Sequence, residues 1–377
     1  MERFTITHRD KKTKARIGIL KTKKRDIETP FFMPVATKAC VKCMSTHDLH
    51  EMGAKAIISN SLILSLRPGR EIVKKFGGIG KFMNYSGVNF TDSGGFQMYS
   101  KFIYIKSDDK GVTFRNPFSG EKLFITPEEN MKMQLDLNSD VAMCLDSMPL
   151  YNHSKEDIAE AVRKTLLWAK ECKLNHDKLQ KDIPEEKQQI LFGILQGGVY
   201  PDLRKKCAKE MIKLNFDGYS IGGLGLGEKP EEEFKAVKIQ KSIIPEDKPV
   251  YLMGIGNPPE IVEAIYHGID IFDSRMPTQN ARRGTLFTSK GKLKIMNNKY
   301  DRDPKPLDEN CDCFVCKHYT RAYLRHLLMQ DEMNGKRLVT FHNLYYLQRL
   351  IDQAKEAIKS GKFEQFRNKI KKLYAKK

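Results

Sequence analysis

The run Ile190-Leu-Phe-Gly-Ile-Leu195 is followed by Gln196-Gly-Gly198, and a helical segment from Leu203 to Leu214 leads to Gly218-Tyr-Ser-Ile221 and Gly222-Gly-Leu224. Six apolar or small residues are too few for a buried helix, and polar and glycine residues bound them, so Ile190–Leu195 reads as a buried strand. Strand, helix and second strand then form a parallel unit with a crossover. The same rhythm extends both ways. Upstream lie Phe31–Val35, Ala56–Ser59, Val88–Thr91 and Val141–Leu145; downstream lie Val250–Met253 and Ile269–Phe272. Helical segments are expected at Asp157–Leu174, Glu231–Lys241 and Pro259–Tyr266 as well, two of them opening on acidic residues as the helix dipole favours. Eight strands alternating with helices predict a closed parallel barrel. An open doubly wound sheet is the competing topology, but no G-x-G-x-x-G follows the first strand. The alternating pattern between Phe102 and Phe124 predicts a β-hairpin excursion beyond the third strand.

In a parallel barrel the C-terminal strand ends converge on one mouth, where chemistry is done. Those ends carry Asp92-Ser93-Gly-Gly95, Asp146-Ser147, Gln196-Gly-Gly198, Gly222-Gly223-Leu224, Gly254-Ile-Gly256 and Asp273-Ser274. A single Asp after a strand is usually a helix N-cap, and a Gly pair usually a tight turn. Three carboxylates converging on one rim are harder to explain so, because unpaired clustered carboxylates repel. The glycines would let a flat ligand approach the backbone closely.

The 377 residues suit one large barrel with an appendage, or two ordinary domains. No apolar run approaches a membrane span, and the charged N-terminus is unlike a secretory signal, so a cytoplasmic protein is expected. The net charge is +19. Residues 1–25 hold ten basic and two acidic residues, residues 351–377 nine and three, and Arg282–Lys305 eight and two. Such clustering suits a polyanion, although lysine-rich ends are often merely solvated. Cys311-x-Cys-x2-Cys316 offers three thiolates at metal-binding spacing, and structural zinc needs a fourth donor. His318 is too near the last cysteine for the same ion; His326 and His342 are the other candidates. Cys40-x-x-Cys43 invites a redox or second-metal reading, with free thiols in a loop as the other.

Asp92-Ser-Gly-Gly-Phe-Gln97, Gly193-Ile-Leu-Gln-Gly-Gly198, Ile221-Gly-Gly-Leu224, Phe272-Asp273 and Met276-Pro-Thr278 occur in this order, followed by the three cysteines and His342. From about Phe31 to His342 the chain resembles the tRNA-guanine transglycosylases, or queuine tRNA-ribosyltransferases, of bacterial type. The resemblance implies a (β/α)8 TIM barrel with an inserted zinc-binding subdomain. It divides the chain into a barrel with a basic N-terminal segment (1–300), the zinc subdomain (301–345) and a basic C-terminal helix (346–377). It implies replacement of the wobble guanine of tRNA by a 7-deazaguanine, with the ribose-phosphate backbone left intact. Asp273 takes the role of nucleophile and Asp92 that of general acid/base, in chemistry like retaining glycoside cleavage. Asp146 and Gln196 would read the base edge, with Ser93, Gly222, Gly223 and Leu224 beside them, and Phe96 and Met253 would sandwich the ring. Gly254, Arg275, Thr278, Gln279, Arg282 and Arg283 would face the RNA. Cys311, Cys313, Cys316 and His342 would hold one structural Zn2+. Tyr319, Tyr323 and His326, spaced as one helix face, match a homodimer patch in bacterial relatives, with ordinary core packing as the alternative.

The chain departs from the family pattern at Ser274 and Gln279, where Cys and Arg are usual, and at Met148 and Leu226, where Cys and Val are common in bacterial relatives. These changes bear on the choice of base. The base expected is 7-aminomethyl-7-deazaguanine (preQ1), with queuine as the alternative. A non-catalytic tRNA-binding subunit and a barrel glycosidase are the remaining readings. The first would have lost catalytic carboxylates, and the second has no use for the basic clusters or the cysteines.

Overall fold

A computed structural model describes residues 2–100, 102–148 and 153–375; the side chain of Phe96 lies outside the description. Eight parallel strands form one sheet: β1 (Phe31–Pro34), β2 (Ala56–Asn60), β3 (Val88–Asp92), β4 (Val141–Met143), β5 (Ile190–Leu195), β6 (Gly218–Ile221), β7 (Val250–Leu252) and β8 (Ile271–Ser274). Each strand pairs with its sequence neighbour, and β8 pairs with β1. A parallel bridge between Val35 and Ile58, with Ala36 N donating to the Ile58 carbonyl at 2.7 Å, joins β1 to β2 and closes the ring. Closure removes both sheet edges, so the expected barrel, and not the open sheet, is what forms. Every residue of β5 is buried, as strands covered on both faces require.

Register, more than strand count, builds the rim. Leu195 pairs with Ile221, Ile221 with Leu252, and Leu252 with Phe272. The next residues along these strands, Gln196, Gly222, Met253 and Asp273, therefore emerge at one level. Asn60 pairs with Asp92 across β2 and β3 in the same way. Asp92 and Asp273 lie within their strands, not just beyond them, which fixes their backbones by ladder bonds.

Several elements differ from the sequence reading. The segment after β3 is a three-stranded antiparallel sheet (Tyr104–Asp108, Gly111–Arg115, Lys122–Ile125), one strand more than a hairpin. Its middle strand buries Val112 and Phe114 and the end of its third strand buries Ile125, while Phe102 and Tyr104 stay exposed. The helix expected at Asp157–Leu174 runs from Lys155 to Gln180. A capping box between Ser154 and Asp157 starts it. Its last turns are held by buried polar contacts, Gln189 N to Gln180 Oε1 at 2.7 Å and His176 Nε2 to Gln189 Oε1 at 3.2 Å. Apolar periodicity does not report contacts of that kind.

The basic N-terminal segment forms an antiparallel sheet of Phe4–Arg9, Arg16–Lys21 and Asp26–Thr29. Arg16 is fully buried and forks onto Asp270, Nε to Oδ1 at 2.9 Å and Nη2 to Oδ2 at 2.6 Å. At the other end, the helix Phe363–Ala375 lies beside Pro258–Tyr266, where Arg367 and Lys371 both reach Glu263, at 2.7 and 2.8 Å. Part of the terminal charge is thus paired within the fold.

Past the barrel come a hairpin (Thr285–Thr288, Gly291–Lys294), two short helices (Phe314–His318, Arg321–Met329) and the helix Met333–Lys359, which runs unbroken through position 345. Tyr319 is not on the helix of Tyr323 and His326, because the chain is extended at Tyr319 and Thr320 caps the next helix. The two tyrosine rings nevertheless stack, 5.8 Å apart at 14°, and Tyr323 and His326 are exposed instead of packed in the core. No helix among the described residues is long and apolar enough to cross a membrane.

Candidate active site and metal centre

Asp92 and Asp273 face one another electrically across the barrel mouth. Asp92 Oδ2 accepts from Asn60 Nδ2 at 3.1 Å, and Oδ1 from Gly94 N at 3.0 Å. Burial nevertheless pushes its carboxyl up to about 7, and the charge of Asp273 adds to the rise. Asp273 Oδ1 accepts from the Tyr251 hydroxyl at 2.5 Å and from Gly254 N at 2.9 Å. Burial raises this carboxyl too, while Tyr251 and Gly254 oppose the shift. One acid is therefore poised to trade a proton near neutrality, and the other has a single oxygen doubly solvated by fixed donors. Two carboxyl groups in such unlike environments are what acid/base and nucleophilic roles demand.

A second constellation sits beside them. Asp146 is buried and accepts from Ser93 Oγ at 2.9 Å and from Gln196 Nε2 at 2.7 Å. Burial raises the Asp146 carboxyl, while the bonds from Ser93 and Gln196 oppose the shift; a carboxyl flanked by an amide and a hydroxyl presents a polar edge that can pair with a purine. The surrounding glycines are needed for space. A Cβ on Gly95 would come within 2.7 Å of Asp146 Oδ1, and one on Gly223 within 2.3 Å of Gln196 Oε1. Gly223 also has φ of +66°, which disfavours any other residue.

Leu224 is buried and Met253 half-buried at the same rim, and Gly222 N donates to the Leu195 carbonyl at 3.0 Å. The expected RNA-facing residues fall into two groups. Gly254, Arg275 and Arg283 are exposed, and Arg282 is half-buried with an Nη1 that has no partner among the described residues. Thr278 is buried, its hydroxyl donating to the Arg275 carbonyl at 3.0 Å, and Gln279 can turn its amide oxygen to Arg283 Nη2 at 3.0 Å. The expectation for Phe96 concerns its side chain and lies outside the described atoms.

Cys311, Cys313, Cys316 and His342 converge, their ligand atoms all within 4.8 Å of one another. His342 Nδ1 stands 3.9, 3.7 and 3.4 Å from the three sulfurs in turn. Tetrahedral zinc with ordinary bond lengths needs sulfur–nitrogen edges of roughly 3.6 Å, so the set fits. The other ring nitrogen, Nε2, lies 2.8 Å from the Phe287 carbonyl, which fixes the ring and leaves Nδ1 for the ion. His318 and His326 are not in the cluster.

Three supporting residues were not picked out from the sequence. Asn60 closes the second strand one position past its expected end, where the rim argument could have found it. Tyr251 is the one hydroxyl in the seventh apolar run, a signal only in hindsight. Asn130, on the helix Pro127–Asp136, donates to the Ser93 carbonyl at 2.6 Å and accepts from Gln134 at 2.8 Å. Their spacing of four places both on one buried face.

A (β/α)8 barrel with paired acids at its mouth, an amide–carboxylate cluster beside them and a Cys3His centre has the parts that a base-exchanging glycosyl transferase requires. The profile of the family described as queuine tRNA-ribosyltransferase matches residues 10–376. A queuine tRNA-ribosyltransferase of Lysinibacillus sphaericus is 45% identical over 372 residues, covering 99% of this chain and 96% of its own. That of Halothermothrix orenii is 43% identical, covering 98% and 97%, and that of Bacillus licheniformis 44%, covering 99% and 96%. The chain belongs to the queuine tRNA-ribosyltransferase family and is an enzyme of the tRNA-guanine transglycosylase class.

Proposed function

We propose that the protein exchanges the wobble guanine of tRNA for preQ1 through a covalent ribosyl-Asp273 intermediate. Asp273 attacks C1′ of the ribose as the C1′–N9 bond breaks, and Asp92 gives its proton to the departing guanine. The incoming base then occupies the same edge reader, Asp92 takes its N9 proton, and N9 displaces the Asp273 carboxylate from C1′. No water need enter, so the sugar-phosphate chain stays whole. The observation that carries this reading is the pairing of Asp92, raised to about 7, with Asp273, anchored by Tyr251 and Gly254. A binding subunit would have no need of that pair.

For the base, Glu228 accepts from Gly225 N at 2.5 Å and Leu226 N at 2.9 Å. Trans geometry turns the Leu224 carbonyl away from Glu228, leaving an acceptor for an aminomethyl cation. That nitrogen is common to preQ1 and queuine, so the acceptor fits both; preQ1 is the base proposed, with queuine the alternative. Ser93, Phe96, Asp146, Gln196, Gly222, Gly223, Leu224 and Met253 bind the base; Gly254, Arg275, Gln279, Arg282 and Arg283 line the RNA path, and the buried Thr278 supports it from behind through the Arg275 carbonyl. The unpartnered Nη1 of Arg282 supports phosphate there. Cys311, Cys313, Cys316 and His342 hold one structural zinc that takes no part in the reaction. The protein acts in the cytoplasm as a homodimer joined through Tyr319, Tyr323 and His326; a Tyr323→Ala variant sedimenting like wild type would refute that surface.

The test uses labelled guanine, preQ1 and queuine with unmodified tRNA. Incorporation of guanine and preQ1, and a denaturation-resistant protein–RNA adduct absent from Asp273→Asn, are expected. An adduct formed by Asp273→Asn would overturn the mechanism, and efficient use of queuine alone would overturn the choice of base.

A further inference from the structure

Arg204 is fully buried one turn into the helix Pro201–Ile212, and no carboxylate lies within ion-pair distance of it among the described residues. Burial lowers its pKa to about 10, so it remains a cation at neutral pH. A buried, unpaired cation persists only if its donors are satisfied. Here backbone carbonyls do most of that. Nε donates to Gly198 O at 2.6 Å, and Nη1 to Leu195 O at 3.2 Å and Gly222 O at 2.8 Å. Nη2 donates to Gly223 O at 3.2 Å, and Nη1 also meets Gln240 Oε1 at 3.1 Å.

Those carbonyls flank the base reader on both sides. Leu195 and Gly198 bracket Gln196, while Gly222 and Gly223 form the floor against which the Gln196 amide rests. Gln240 closes the loop, its Nε2 reaching the Gln196 carbonyl at 3.2 Å. The β6 loop needs such a tie, because Gly223, Gly225 and Gly227 all adopt positive φ and little else restrains them. Glu228 holds the far half of that loop through N–H groups. Arg204 holds the near half through carbonyls. A planar fork with five fixed donors spans the four carbonyls and the Gln240 amide oxygen at once, more than the three donors of a lysine ammonium can satisfy.

We infer that Arg204 is a positioning residue for base recognition: by tying the β5 and β6 loops together it sets Gln196 against Asp146. The inference rests on the base-exchange reading above. An apolar filler could pack the same volume, but it could not fix the distance between two glycine loops.

The test compares wild type with Arg204→Lys, Arg204→Met and Gln240→Leu. KM for guanine, KM for tRNA, kcat, calorimetric binding of free guanine, melting temperature and metal content are measured for each. Loss of hydrogen bonds from a charged donor predicts a rise of about 10- to 100-fold in guanine KM and Kd for Arg204→Met. Arg204→Lys should give a smaller rise and Gln240→Leu the smallest, with tRNA KM within about 2-fold throughout. Should Arg204→Met fail to fold, the other two variants carry the test. Lower melting temperatures with unchanged guanine KM and Kd would overturn the inference and leave a purely structural arginine. If wild type binds guanine but exchanges none, the functional reading fails instead, and the binding data still decide the role of Arg204.

Discussion

The Tyr251 hydroxyl and the Gly254 amide both donate to Oδ1 of Asp273, at 2.5 and 2.9 Å, and Oδ2 has no donor among the described residues. One oxygen is tethered, and in the proposed mechanism the other makes the attack. Tyr251→Phe removes a donor to the charged form, which raises the Asp273 pKa further and slows adduct formation. Charge-assisted bonds of this kind contribute about 1.5–3 kcal/mol, so single-turnover adduct formation should fall by roughly 10- to 100-fold. Guanine KM should hardly change, and an unchanged adduct rate would remove Tyr251 from the mechanism.

With Asp92 held near 7, the proposed mechanism makes the cleavage step pH-dependent. Guanine departure needs the protonated acid, so the adduct-forming rate should fall as pH rises through about 7. The stability consequence has a definite sign. The folded pKa exceeds the unfolded value of about 3.9, so the native state binds more protons and stability falls as pH rises between these limits. Asp92→Asn should flatten that slope. Chemical denaturation of both proteins at pH 5 and pH 8 checks it: equal slopes would mean that Asp92 is not the raised group.

Gly223→Ala places a methyl group 2.3 Å from Gln196 Oε1 at a backbone φ of +66°. Either the loop or the amide must move. We expect guanine KM to rise by at least roughly 10-fold with little change in melting temperature. Normal guanine affinity would show that the loop yields without disturbing Gln196.

The Cys3His centre joins the short helix Phe314–His318 to the helix Met333–Lys359. Purified protein should contain one zinc per chain. Cys316→Ala should lose it and melt lower by on the order of 10 °C, in the manner of other lost structural metal sites. Full metal content in that variant would exclude Cys316 as a ligand.

Arg16→Met leaves Asp270 buried without its partner and should cost about 3–5 kcal/mol of stability. The salt dependence of tRNA binding should be unchanged, because Arg16 is not on the surface. A shallower salt slope would show that this residue contacts RNA after all.

Much of the site was legible because its residues sit at strand ends. Asp92, Asp146, Gln196 and Asp273 follow short apolar runs, and parallel closure carries such residues to one mouth whatever the helices between them do. Asn60 and Tyr251 escaped notice because their importance is a contact, not a pattern: each acts through an acid on another strand. Tyr319 shows the opposite error. Spacing alone put it on a helix with Tyr323, but the chain breaks at Thr320, whose hydroxyl caps the next helix.

The order of strands and helices, the acids at the rim and the cysteine spacing are set by local chemistry: periodicity, glycine and proline placement, and side chains a few residues apart. The N-terminal sheet, the Arg16–Asp270 pair and the tethering of Asp273 were decided only by tertiary structure. Arg16 and Asp270 are 254 positions apart, and nothing near either one marks the other as its partner. Closing the barrel brings them together where both side chains are buried, and an unmatched charge there is too costly to remain.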